Sequence, residues 1–222
     1  MQVRGILLCH LVFIYVYTDM THFYANCCRY KCYLDITLVC IIFIGMNRIS
    51  LYPISSYQMN SCVEFSVSSV ESSKDHYASR NQFDVDKIKN DIYLGKVAEY
   101  AVYNHYYQNF GKISKPDIKV YRGKDKSYDA DLKTKKSLVH VKSYFSKSSY
   151  PPSWVFQKSD PLVHSPKEND VIILCIVDET GKGKGYVGDA TTLQEYYKPL
   201  RKASLDSKTA IYLSDLMHLY VK

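Results

Sequence analysis

The chain has 222 residues, of which 29 are Lys or Arg and 22 are Asp or Glu, so its formal charge is +7 at pH 7. This length allows one domain of moderate size with an appendage, and a hydrophobic fraction of 46% is enough to build a core. Nine Gly, seven Pro and no sustained heptad or charge block exclude collagen-like, coiled-coil and wholly disordered chains. The modest positive excess permits a nucleic-acid or anionic partner without requiring one.

Residues 1–58 are apolar and rich in cysteine and tyrosine. They contain five of the seven cysteines but only four basic and two acidic residues. Their apolar runs, Gly5–Tyr17 and Ile36–Met46, have 13 and 11 residues, and each is shorter than the roughly 20 residues that span a bilayer. No small-residue cleavage site follows the first run, which disfavours secretion. Two hypotheses remain: upstream translation, with Met46 or Met59 as the native start, or a membrane-associated segment.

The remaining 164 residues contain only two cysteines, Cys62 and Cys175. Two cysteines do not make a disulfide framework, so we expect a reduced, intracellular and cytoplasmic protein. Residues 59–83 are rich in serine and are interpreted as a polar lead-in with at most one short strand. Residues 84–222 are interpreted as the folded domain.

A long helix is predicted from Asp84 onward. Ile88, Ile92, Gly95, Glu99, Val102 and Tyr106 recur at spacings of three and four residues. This spacing predicts one face of a helix of about 25 residues, ended by Gly111. Glu99 falls on that apolar face, where an unpaired carboxylate is costly to remove from water. It therefore needs a cation, a proton or a hydrogen-bond partner.

Short strands and turns follow the helix. The predicted elements are a three-strand meander (Ile118–Tyr121, Tyr128–Lys133, Leu138–Tyr144), a strand at Val171–Val177, a Gly181–Gly185 turn into a strand around Val187, a helix over about 192–200 and a strand at Thr209–Leu213. The unbroken apolar run Val171–Val177 is typical of a strand buried on both faces. The order predicts an α/β sandwich, with a central mixed β-sheet flanked by helices.

Four polar residues of the predicted hairpin are expected on one face. Because side chains alternate along a strand, Asp129 and Asp131 share a face of one strand, and His140 and Lys142 share a face of the next. A two-residue loop at 135–136 would place Asp131 opposite His140 and Asp129 opposite Lys142. Another register would shift the pairing by two and keep the four residues together.

Three motifs stand in order along the chain: Gly95-Lys-Val-Ala-Glu99, Tyr128-Asp-Ala-Asp-Leu132 and His140-Val-Lys-Ser143. Their order resembles that of the PD-(D/E)XK, or restriction-endonuclease-like, nuclease superfamily over about residues 84–190. In that superfamily a helix Glu, a strand Asp and an acid-x-Lys pair surround a divalent metal. The resemblance implies a restriction-endonuclease-like sandwich and a metal-dependent endonuclease that hydrolyses DNA phosphodiester bonds.

The resemblance also implies a role for each site residue. Asp131 would be the principal metal ligand, with Asp129 beside it, Glu99 in an outer or second-metal shell and the Val141 carbonyl as a neutral ligand. The metal, Mg²⁺ or Mn²⁺, would activate water and neutralise charge at phosphorus. Lys142 would orient or deprotonate that water and stabilise the developing charge. No small-molecule cofactor is expected.

His140 departs from the superfamily pattern, because it stands where the acid of the acid-x-Lys pair belongs. A neutral imidazole is a poor ligand for Mg²⁺, although it suits Mn²⁺ better. Either the second aspartate of the Asp129 and Asp131 pair supplies the missing carboxylate, or the site is weakened. The alternative function is therefore a catalytically weakened nucleic-acid-binding protein of the same fold. The Pro-Asp dipeptide is also absent at the strand Asp.

A basic flank is predicted to contact DNA. Its candidate residues are Lys133, Lys135, Lys136, Lys147 and Gln157. Gln157 follows the lysine motif at a distance where RecB-type relatives place a helical Gln, although Pro151 and Pro152 disfavour a long helix there. A solvated hairpin tip explains the lysines equally well. DNA is the expected partner, a homodimer is allowed for, and membrane contact is not expected.

Overall fold

The computed structural model describes residues 47–78, 82–121, 129–200 and 206–220. The expectations for residues 1–46 and for Tyr128 lie outside these ranges. Within them, no helix combines the length and the apolar character that crossing a membrane requires.

Two sheets and several helices make up the described part of the chain. In order, the elements are β1 (Asn47–Leu51), α1 (Ser56–Ser72), α2 (Lys74–Ala78), α3 (Val85–Phe110), β2 (Leu132–Lys133), β3 (Leu138–Phe145), β4 (Ser153–Gln157), α4 (Pro161–His164), β5 (Asp170–Val177), β6 (Gly183–Asp189), α5 (Ala190–Leu193), β7 (Lys198–Pro199), β8 (Lys208–Tyr212) and α6 (Leu213–Leu216). Short 3₁₀ turns follow α5 and α6. A mixed sheet has the order β1-β6-β5-β3-β2, and a second sheet has the order β4-β8-β7. The predicted α/β class with a mixed sheet is confirmed, whereas the second sheet was not foreseen.

Helix α3 has the predicted bounds because both of its ends carry local signals. The Asp84 side chain accepts a hydrogen bond from the Lys87 N–H at 2.9 Å and caps the first turn. Gly111 ends the helix with φ at 84°, a conformation that glycine adopts without a steric penalty. The buried face includes Val97, Ala98 and Ala101, which pack in the core.

Residues 56–72 form helix α1 where a polar lead-in with at most one strand was expected. Ser55 and Gln58 make a capping box, since each side chain accepts a hydrogen bond from the backbone N–H of the other. Several serine hydroxyls donate to carbonyl oxygens three or four residues earlier, which satisfies them within the helix. The buried face repeats every four residues, at Cys62, Ser66 and Val70. The serine-rich composition therefore concealed an amphipathic helix.

Strand β1 ties residues assigned to the amino-terminal segment into the five-stranded sheet. It pairs antiparallel with β6, and Ile49 lies opposite Gly185. A Cβ at Gly185 would lie 2.8 Å from the Ile49 side chain, so the close approach of the two strands needs a glycine. The boundary predicted at residue 58 falls inside α1. A chain that began at Met59 would lack β1 and the first turn of that helix.

The hairpin of β2 and β3 has the register expected for a two-residue loop, which is one of the registers that the sequence left open. The Thr134 N–H donates to the Ser137 carbonyl oxygen at 3.0 Å, which closes a two-residue loop. Leu132 then pairs with Val139. Strand β2 is nevertheless only two residues long, so the predicted strand over 128–133 is confirmed only at its end.

The run Ile118–Tyr121 is not a strand, so the predicted meander is reduced to the hairpin. Asp117 provides the physical reason. Its carboxylate accepts hydrogen bonds from the Lys119 N–H at 2.8 Å and the Tyr121 hydroxyl at 2.6 Å. Such local side-chain bonds compete with strand pairing.

Strand β5 runs parallel to β3 and antiparallel to β6, and it is buried on both faces as predicted. Ile173, Cys175 and Val177 pack in one core with α3, on what we call the helix face of the five-stranded sheet. Ile172 and Leu174 pack with residues of the second sheet, on what we call the small-sheet face. The helix predicted over 192–200 is shorter, because it ends in a 3₁₀ turn before β7 begins.

Candidate functional site

Glu99 lies buried on α3 with a cation beside it. The residue is 7% exposed, and Nζ of Lys96 donates to its Oε2 at 2.7 Å. The Lys96 ammonium also lies 4.9 Å from the centre of the Phe65 ring. Lys96 is therefore the partner that Glu99 needs on an apolar face. Lys96 stands in the Gly95–Glu99 motif and was not among the predicted site residues, although its i,i+3 spacing to Glu99 is the signal for such a pair.

The pKa of Glu99 is raised from 4.5 to about 8. Burial is the largest cause, because removal from water disfavours the charged carboxylate. The charge of Asp131 is the next cause, and the charge and hydrogen bond of Lys96 act in the opposite direction. The charge of Asp117 raises the pKa of Glu99 by a smaller amount. Asp131 is thus the carboxylate that acts most strongly on Glu99.

Asp131 lies at the point where β2 stops pairing with β3. Its Oδ2 accepts a hydrogen bond from the Val141 N–H at 2.8 Å, in the place that a longer β2 would fill with its backbone. In a strand, the N–H and the carbonyl of one residue turn toward the same neighbour. The Val141 carbonyl therefore faces the edge where Asp131 lies. We call Glu99, Lys96, Asp131 and this edge of Val141 the carboxylate pocket.

His140 and Lys142 lie on the other side of the sheet. In the parallel register, His140 is beside Ile172 and Lys142 is beside Leu174, and both partners belong to the small-sheet face. The prediction that His140 and Lys142 converge with Glu99 is wrong. Side chains alternate along β3, and its valines occupy the face that packs against α3.

Lys142 contacts the second sheet instead. Its Nζ lies 4.9 Å from the centre of the Phe156 ring and 4.0 Å from Oδ2 of Asp160. The side chains of Lys142 and Asp160 are 33% and 23% exposed, so water screens this ion pair in part. Neither contact involves the carboxylate pocket.

His140 and Asp129 also have other partners. Nε2 of His140 lies 3.2 Å from Oδ1 of the buried Asp170, whose other oxygen accepts from the Lys167 N–H at 2.8 Å. Asp129 is exposed and pairs with Lys133 at 3.1 Å. The ladder ends at Leu132, so Asp129 does not pair with Lys142 as predicted.

The predicted DNA-contacting residues do not form one surface. Lys133, Lys135 and Lys136 lie at or beside the hairpin turn, and all three are exposed. Lys147 follows the opposite end of β3, which is about 25 Å long at strand rise, and it pairs with Glu179 at 2.6 Å. Gln157 belongs to β4 in the second sheet, so it is not on a helix.

The donor set of the pocket fits a hard divalent cation. Among the described residues, no three His, Cys, Asp or Glu side chains are grouped as metal ligands. Mg²⁺ in proteins is commonly held by one or two carboxylates, with waters and substrate phosphate completing its shell. Two carboxylates and a carbonyl oxygen satisfy that requirement. The His140 imidazole takes no part in it.

No protein-family model matches the chain, and comparison with curated proteins and with solved structures likewise finds no match.

Proposed function

We propose that the chain is a metal-dependent endonuclease with a restriction-endonuclease-like sandwich, and that it hydrolyses DNA phosphodiester bonds at the carboxylate pocket. The geometry that carries the proposal is the buried Glu99, with Lys96 at 2.7 Å, together with Asp131, which the Val141 N–H holds at 2.8 Å. The charge of Asp131 also acts on Glu99, which supports their grouping. Two carboxylates that repel each other, one of them buried, favour a proton or a cation between them. A divalent cation supplies the larger compensating charge.

The residues of the pocket would have different roles in binding Mg²⁺ or Mn²⁺. The Val141 N–H fixes Oδ2 of Asp131, which orients the carboxylate at the sheet edge. Glu99 must lose its proton before it binds a cation, so the pocket binds metal more strongly as the pH approaches 8. A cation bound there supplies an activated water and neutralises charge on the phosphoryl group.

DNA is the proposed partner because of the charge near this edge. The hairpin that follows Asp131 ends in the exposed Lys135 and Lys136, and the chain as a whole carries +7. Lysines that contact phosphates bind DNA without reading its sequence and make the affinity fall with salt. These charges support DNA binding whether or not the pocket holds a metal ion.

The second candidate is a nucleic-acid-binding protein of the same fold that does not cleave. Two contacts on the small-sheet face favour it. His140 is held by Asp170, and Lys142 lies over Phe156. A site without Lys142 lacks the lysine that the superfamily pattern calls for, and His140 stands where the pattern has its acid.

Nicking of supercoiled plasmid by the purified full-length chain tests the first proposal. We expect nicking with Mg²⁺ or Mn²⁺ that EDTA abolishes. Asp131→Asn and Glu99→Gln should each slow it by at least about 100-fold, since changes behind the ligands alone cost 10–100-fold. The matched control is Asp91→Asn, which removes an exposed carboxylate of the same helix.

Two results would reject cleavage at this pocket. Equal nicking by the wild type and both pocket variants would reveal a contaminant. A gel shift of DNA without any nicking would favour the second candidate.

A further inference from the structure

We infer that the Lys96 ammonium occupies the cation position of the carboxylate pocket, and that Lys96, not Lys142, is the lysine that acts on the substrate phosphate. The inference rests on the proposed function and specifies its lysine. It starts from the contact between Nζ of Lys96 and Oε2 of Glu99, at 2.7 Å.

Lys96 and a metal ion compete for the same carboxylate. Mg²⁺ binds carboxylate oxygens at about 2.0–2.1 Å. A cation at that distance from Oε2 of Glu99 would lie within a few ångströms of the ammonium now bound there. Like charges so close repel strongly in a buried site. The Lys96 side chain is only 14% exposed, so water does not remove this repulsion, and the ammonium must move when metal binds.

The charges of the pocket favour a role for the displaced ammonium. Glu99 binds metal in its ionised form. Ionised Glu99 and Asp131 contribute −2 and Lys96 contributes +1, so the pocket that receives the metal carries −1. A divalent cation brings it to +1, which complements the single negative charge of a phosphodiester. Lys142 cannot supply this charge, because it lies on the small-sheet face.

A purely structural role for the Lys96 and Glu99 pair makes a different prediction. A buried ion pair is weak evidence for stability, because desolvation offsets the attraction. If the pair only supported the helix, removal of the lysine charge would change unfolding and leave metal affinity unaltered. Metal affinity is therefore the measurement that separates the two roles.

Binding of Mn²⁺ to the full-length chain, measured by the electron paramagnetic resonance signal of free Mn²⁺, tests the competition. We expect Lys96→Gln, which keeps a hydrogen-bond donor beside Glu99, to bind Mn²⁺ about tenfold more tightly or better, since a repelling charge is gone. Lys96→Arg retains the charge and should match the wild type, as should Lys142→Met. Lys96→Met is a second neutral variant, and circular dichroism reports whether each variant is folded.

Each outcome of this measurement decides a different point. Unchanged or weaker binding by a folded Lys96→Gln, with binding lost in Glu99→Gln, overturns the inference and leaves the proposed function standing. Binding by Lys96→Gln but not by the wild type supports the competition between Lys96 and metal, but it overturns the proposed function and with it the action of Lys96 on phosphate. No binding by any of the proteins overturns both.

Plasmid nicking at saturating metal tests the action on phosphate. Lys96→Gln should slow nicking by about 10²–10³, the usual loss when a group that stabilises transition-state charge is removed. Lys142→Met should nick at the wild-type rate. The reverse pattern would assign the role to Lys142 and overturn the inference.

Discussion

The Lys142 ammonium lies 4.9 Å from the centre of the Phe156 ring, on the face of the five-stranded sheet opposite to Glu99. This contact joins β3 of the larger sheet to β4 of the smaller one. Asp160 adds an ion pair at 4.0 Å that is partly exposed. The side chain of Lys142 therefore helps to hold the two sheets together.

Replacement of Lys142 by Met should cost stability but not metal affinity. We expect the free energy of unfolding to fall by about 1 kcal/mol, the usual value of a partly exposed cation–π contact and ion pair. Urea unfolding measures the change, and Lys136→Met on the exposed turn is the control. Loss of Mn²⁺ binding in folded Lys142→Met would contradict the placement of this residue.

The protonation of Glu99 should make the fold less stable as the pH rises. The folded pKa is raised from 4.5 to about 8, so between these values the unfolded chain releases a proton that the folded chain keeps. The unfolded state binds fewer protons there, and the free energy of unfolding therefore falls with pH. Above about pH 8 both states are ionised and this contribution is constant.

Urea unfolding at several pH values between 4.5 and 8 measures this slope. Glu99→Gln, which does not titrate, should flatten it, whereas Asp91→Asn on the exposed side of the same helix should retain it. The same slope in the wild type and in Glu99→Gln would show that Glu99 is not the titrating group.

Local signals in the sequence account for the elements that were predicted well. The cap at Asp84 and the glycine at 111 define α3 through bonds within a few residues of each end. The apolar run of β5 needs no partner to be recognised as a buried strand. Helix α1 was not predicted because its many serines suggest a loop. Its buried face includes Ser66, and a polar residue of this kind is buried only because the helix packs on the rest of the domain.

Alternation along the strands was not enough to predict which side chains of the hairpin lie on the same face of the sheet. Alternation holds only within a strand, and β2 begins only at Leu132. Asp131 therefore lies outside the pleat and turns its carboxylate to the Val141 N–H. The face of Lys142 depends on where α3 packs. The apolar Val139 and Val141 were the available signal, because an apolar helix face covers valines in preference to His140 and Lys142.

His140→Glu restores the acid that the superfamily pattern expects, but on the small-sheet face. The new carboxylate would lie beside the buried Asp170, and we expect a loss of about 3 kcal/mol from an uncompensated buried charge. Mn²⁺ affinity should not rise. His140→Gln is the matched control, since it keeps a donor for Asp170. A gain in metal affinity or in nicking by His140→Glu would place this position at the metal after all.

Trp154→Phe should weaken the junction between the two sheets. The indole Nε1 donates to the Cys175 carbonyl oxygen at 3.1 Å, and the ring is buried between β4 and β5. Phenylalanine removes the donor and leaves unfilled volume, so we expect a loss of about 2–3 kcal/mol. Because Trp154 is the only tryptophan of the chain, far-ultraviolet circular dichroism in urea must follow unfolding.

Val155→Ala is the control for this substitution, because Val155 is an exposed neighbour on the same strand. It should change stability by less than about 0.5 kcal/mol. If Trp154→Phe cost no more than Val155→Ala, the hydrogen bond and the packing of the indole would not stabilise the contact between the sheets. Lys142 lies over Phe156 because the two sheets are in contact. Interactions other than those of Trp154 would then have to hold the sheets together.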